Sequence, residues 1–150
     1  MTKYLLGLVL VLLPVGGWGA ECVDFSGTFY EKLSDYYSES ELRQSGCESI
    51  AVRTRVEMNN GAVYKFEKTL LTDGVLRTAD EFTDEAFSFQ NESLIAEERS
   101  YVVGDGTRWL YSITTNSSRL NTDGDVQWDH EVRKVNGELI EHYSRVLRRK

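Results

Sequence analysis

His130 and His142 are the only histidines in the chain, so any imidazole chemistry rests on them. Nucleophilic catalysis needs a His beside a Ser or Cys held on a sharp turn, and no Gly-x-Ser-x-Gly elbow occurs. A zinc site needs further His or Cys at ligand spacing. The chain has no His-x-His pair and no Cys-x-x-Cys. Asn121, Asp123 and Asp125 alternate as the first oxygen ligands of a calcium loop would. However, Val126 stands where that loop requires glycine, and Val132 stands where it requires a bidentate Glu. No catalytic constellation, metal centre or cofactor site is expected, and the reading is non-enzymatic.

What remains is binding. Trp109, Tyr111, Trp128 and Tyr143 lie in runs with strand character and are the candidate ligand contacts. Their positions depend on which face of each strand is inward. Ile50, Val52, Thr54, Val56 and Met58 alternate with Ala51, Arg53, Arg55 and Glu57, the pattern of a strand with one wet face. Trp109, Tyr111 and Ile113 alternate with Arg108, Leu110 and Ser112. Val126, Trp128, His130 and Val132 alternate with Gln127, Asp129, Glu131 and Arg133. Burying Arg or Glu without a partner costs several kcal/mol, so the aromatic faces are expected inside. Trp109 and Trp128 are then both mostly buried in one interior, with His130 beside them.

The elements that position these side chains are short strands. Turns are marked by Asn59-Asn60-Gly61, Thr72-Asp73-Gly74, Gly104-Asp105-Gly106, Asp123-Gly124-Asp125 and Asn136-Gly137, pairs that tolerate the positive φ of tight hairpins. Strands are expected near 26–33, 48–58, 62–71, 75–79, 86–90, 94–103, 107–115, 126–135 and 138–148, with a short one over 40–44. Residues 34–40 and 116–125 read as the two long connections. The acidic stretch 80–85 reads as a solvated turn. Pairing about Asn136-Gly137 sets His130 opposite Tyr143 and His142 opposite Glu131. No helical pattern of 10–15 residues separates the strands, which excludes parallel βαβ units. The fold class is all-β: an antiparallel meander of about 8–10 strands closing into a small barrel, because an open sheet leaves sticky edges.

Residues 1–20 differ from the rest. Lys3 precedes an apolar run from Tyr4 to Val15, and Gly16-Gly17-Trp18-Gly19-Ala20 leads to a polar start at Glu21. This is the layout of a secretory signal peptide, and the run is shorter than the roughly 20 residues a spanning helix needs. Residues 21–150 are expected to form one domain, periplasmic or secreted, with no membrane insertion once the signal is removed. Export makes a Cys22–Cys47 disulfide the default. The chain has 150 residues and a formal charge of −7, a sign that argues against nucleic acid as partner. Asn91-Glu92-Ser93 and Asn116-Ser117-Ser118 match the glycosylation pattern, which has meaning only in a eukaryotic host.

Asp24-Phe25-Ser26-Gly27-Thr28-Phe29-Tyr30 resembles the Gly-x-Trp opening of lipocalin-like, calycin-type barrels, with Phe29 in place of Trp. Arg145 or Arg148 resembles the arginine that packs over that aromatic. The resemblance implies a small-ligand carrier. A barrel of about eight strands has an interior just wide enough to be filled or to hold one small ligand. The leading expectation is therefore a small apolar or amphipathic ligand in the barrel mouth. The alternative is an interaction module, such as an inhibitor, contacting another envelope or secreted protein through its loops.

Overall fold

The computed structural model describes residues 22–150; residues 1–20, expected to be a signal peptide, lie outside the described residues. Ten strands follow in order: β1 (Gly27–Lys32), β2 (Tyr36–Ser45), β3 (Ser49–Met58), β4 (Val63–Leu71), β5 (Arg77–Thr78), β6 (Thr83–Gln90), β7 (Ser93–Gly104), β8 (Thr107–Leu120), β9 (Val126–Lys134) and β10 (Leu139–Arg149). All pairings are antiparallel, in one sheet of order β4-β3-β2-β1-β10-β9-β8-β7-β6-β5. Sequence neighbours other than β4 and β5 are joined by hairpins, and β1 returns to pair with β10. No ladder joins β4 to β5. The sheet is therefore not closed on that side, where the gap is spanned by the Asp73–Ser88 bridge, a 2.8 Å bond from Gly74 N–H to the Phe87 carbonyl, and a Lys68–Glu85 ion pair.

One end of the barrel is closed. Phe25, Phe29 and Ile50 are fully buried there, with Leu94 and Val126 beside them and Leu42, Val52 and Leu147 packed against the cluster. Each such side chain contributes about 1.5–3 kcal/mol by leaving water. Cys22 and Cys47 are joined across this end with Cα atoms 5.5 Å apart. The side chain of Gln44 ties the entering chain to it, accepting from Phe25 N–H at 2.9 Å and donating to the Val23 carbonyl at 3.1 Å.

The arginine over Phe29 is neither Arg145 nor Arg148. It is Arg149, 5.6 Å from the ring centroid, which also donates to the Ser26 carbonyl at 2.6 Å. Ladder register explains the shift, because Phe29 pairs with Arg149 while Tyr30 takes Arg148. Gly27 lies beneath it with φ 153°, a conformation L side chains rarely adopt, and a Cβ there would come within 3.1 Å of Arg149 Nη2.

Two expected connections are strand instead. Residues 36–40 belong to β2, and β8 continues through residue 120, leaving 121–125 as the turn. The acidic stretch is only partly a turn: β6 begins at Thr83, and Asp84 is buried.

Candidate functional site

The barrel interior has an apolar floor and a polar, aromatic upper wall. Alternation in β9 carries Val126 to the floor and Trp128 and His130 to the wall. Their partners across the ladder are Leu147, Arg145 and Tyr143. The Tyr143 ring stacks on His130 at 4.6 Å and meets Trp128 edge-on at 5.6 Å. His130 Nδ1 shares a 2.7 Å hydrogen bond with Asn116 Oδ1 on β8. That anchor fixes the ring, and through it the aromatic group.

Arg145 sits where this wall meets β1. Its guanidinium lies 4.9 Å from the Tyr143 ring centroid and 5.8 Å from that of Trp128. Its Nη1 donates to the Tyr36 hydroxyl at 3.0 Å and reaches Glu31 Oε2 at only 3.5 Å. Tyr36 in turn donates to Glu31 at 3.0 Å. Burial and that donation push the Tyr36 hydroxyl above its ordinary pKa, so it remains a donor at neutral pH. Arg145 Nη2 and Nε have no hydrogen-bond partner among the described residues, and the side chain is about one-third exposed at 35%. The wall thus presents free, fixed donors to the interior.

Below Arg145 lies a cavity of about 280 Å³. Phe25, Phe29, Leu42, Val52 and Leu94 form its apolar part, and Ser40, Ser118, Trp128, Glu31 and Arg145 its polar part. Ser40 is held by a 2.8 Å bond to Thr54. A cavity of this composition holds a chain-like or flat apolar body with one polar end.

The structure brings together Trp128 and Tyr143 of the sequence candidates, with His130, and leaves Trp109 and Tyr111 apart from them. Trp109 is 52% exposed and Tyr111 56% exposed, so the expected burial of Trp109 is corrected. Two features cause this. The β7–β8 register slips between Ser100 and Tyr101, which leaves Tyr111 as an unpaired bulge residue. In addition, β9 pairs with β8 only from Ser112 onward, so residues 107–111 project beyond the neighbouring strand. Trp109 faces Val102 across the ladder and packs over Gly104 at the rim. Sequence reasoning missed Glu31 and Tyr36 as site residues and offered Arg145, with Arg148 as its alternative, as the arginine over Phe29. Its position two residues from both Tyr143 and Leu147 was the available signal for an inward Arg145.

These features define an antiparallel β-barrel with a partly polar interior. No family model matches the chain, and no curated protein matches it. Among solved structures, it is similar to a point mutant of the fluorescent protein UnaG: TM-score 0.52, 13% identity, covering 84% of this chain and 96% of that one. At that identity the likeness is one of fold.

Proposed function

We propose that this barrel is an exported, non-enzymatic carrier of one small amphipathic molecule. The apolar body lies in the cavity over Phe29, Leu42 and Leu94, and an acidic end meets Arg145. The observation that carries this reading is the cavity's composition: an apolar pocket capped by a guanidinium with open donors. A ligand carboxylate would compete with Glu31 for Arg145, and the long 3.5 Å contact makes that exchange cheap.

The test is equilibrium titration with a fluorescent long-chain carboxylate and its methyl ester. Arg145→Gln is expected to weaken the carboxylate by about 10- to 100-fold, the 1.5–3 kcal/mol of a charged hydrogen bond, with little change for the ester. Equal loss for both probes, or no binding by the unmodified protein, overturns the reading.

A second reading, an interaction module, rests on the exposed apolar rim of Phe82, Trp109, Tyr111 and Ile140. A partner protein lost on Trp109→Ser, with probe binding intact, would favour it.

A further inference from the structure

The barrel wall is incomplete between β1 and β10. Their ladder consists of Phe29–Arg149 and Tyr30–Arg148, although β1 runs on to Lys32 and β10 extends back to Leu139. From Glu31 onward the two strands part, and a cleft of about 570 Å³ opens between them. Lys32, Leu33, Val146 and Arg148 flank it, and its inner end is formed by Glu31 and Arg145. Those last two residues also line the interior cavity, and no other residue lines both. The ion pair is therefore the partition between the outside cleft and the ligand cavity.

The charges around the cleft are unusual for this chain. Most Lys and Arg side chains are paired with a carboxylate, including Arg43, Arg53, Arg55, Arg99 and Arg133. Lys32 and Arg148 make no ion pair among the described residues, in a protein of formal charge −7. Two free cations thus stand at the mouth of the cleft, and a third stands at its floor with donors open. Leu33 and Val146 give the walls between them an apolar character.

Two other routes are more obstructed. The closed end is filled by Phe25, Phe29 and Ile50. The β4–β6 side is held by the Lys68–Glu85 pair, with Lys68 also over the Phe87 ring at 5.4 Å.

We propose that the β1–β10 cleft is the entrance to the cavity, taking acidic amphipathic molecules tail first, with the Glu31–Arg145 pair as its gate. This rests on the carrier reading above. The tail passes between Leu33 and Val146 and displaces the pair at its 3.5 Å contact. Glu31 keeps the Tyr36 hydroxyl, and the head stays on Arg145. Lys32 and Arg148 act earlier, by drawing the anionic head to the cleft.

Stopped-flow association of the fluorescent carboxylate and of its methyl ester tests this at low salt. Lys32→Glu with Arg148→Glu is compared with Lys65→Glu and Arg119→Glu. The latter two cations are also exposed and without an ion pair among the described residues, and lie away from the cleft. The two doubles carry the same net charge. The cleft double is expected to slow carboxylate association by about tenfold, as loss of steering does, and to leave the ester rate unchanged; the control double leaves both rates unchanged. Glu31→Gln is expected to speed association of both probes by loosening the gate. Equal slowing by the two doubles would mean net charge alone acts, and no slowing by the cleft double would place the entrance elsewhere; either result overturns the proposal. Equilibrium binding by the unmodified protein is read separately. Its absence removes the carrier reading and the entrance with it, whereas normal binding with unaltered rates removes the entrance alone.

Discussion

Asp84 shows how a single residue departs from its sequence context. It lies in an acidic stretch that reads as a solvated turn, yet its side chain is buried on the outer face, opposite Arg99 in the ladder. Arg108 donates to it at 3.0 Å and lies over the Tyr101 ring at 4.0 Å, so one guanidinium covers both groups. Burial raises the Asp84 carboxyl pKa, but hydrogen bonds from Tyr101, Arg108 and Thr78 outweigh it and hold the group below its ordinary 3.8. Because the folded value is the lower one, the carboxylate stabilises the fold above the ordinary pKa. That contribution fades as pH falls through the acid range toward the folded value. Asp84→Asn is expected to lower the melting temperature near neutral pH and to flatten its decline below about pH 4. Melts across pH would check this; a variant whose melting temperature tracks the unmodified protein at every pH would contradict it. Nothing local in the sequence announces Asp84, because Tyr101 and Arg108 reach it from other strands.

At the scale of the strand, legibility followed polarity. The faces of β3 and β9 were readable, as was the pairing of His130 with Tyr143, because apolar side chains alternate there with charges. Residues 36–40 and 116–120 have the sequence character of connections, yet both belong to strands whose inner face carries polar groups. Tyr36 and Ser40 face the interior from β2, and Asn116 and Ser118 from β8. A polar inner wall erases the period-two hydrophobic signal on which strand assignment depends. The segments hidden from sequence reasoning therefore lie along the polar part of the candidate site. The β8 bulge was hidden for another reason, since nothing in the sequence separates an extra residue at Tyr111 from regular alternation. If Ser118 is polar for the ligand's sake, filling its place should favour the empty barrel. Ser118→Val is expected to raise stability by roughly 0.5–1 kcal/mol, as cavity filling commonly does, and to weaken probe binding. Thermal melts and titration on the same variant check both halves. Lost stability with unchanged binding would mean the serine serves the fold.

Across the whole molecule, the firm contacts gather at the closed end. The buried cluster, the Arg149 clamp over Phe29, the Cys22–Cys47 link and the Asp73–Ser88 bridge all lie there. So do the two ladder pairs that join β1 to β10. Toward the other end the sheet divides into two halves, β1–β4 and β5–β10, held by the ion pairs Glu31–Arg145 and Lys68–Glu85. There Tyr64, Phe66, Val102, Trp109, Leu139 and Ile140 are all exposed. Local opening should follow this gradient, since few buried contacts means a low free energy of opening. Amide hydrogen exchange is expected to be slowest at Phe29, Ile50, Leu94 and Val126 and fastest over Val63–Phe66 and Leu139–Ile140. The disulfide closes a loop of sequence separation 25, which the chain-entropy account values at about 3 kcal/mol. Replacing both cysteines with Ser is thus expected to cost about that much or less, leave the strand signature in circular dichroism, and raise exchange first at the closed end. Fast exchange at Ile50 and Val126 in the unmodified protein, or a double-Ser variant that loses exchange protection first at the open end, would show that the closed end is not what holds the two halves together.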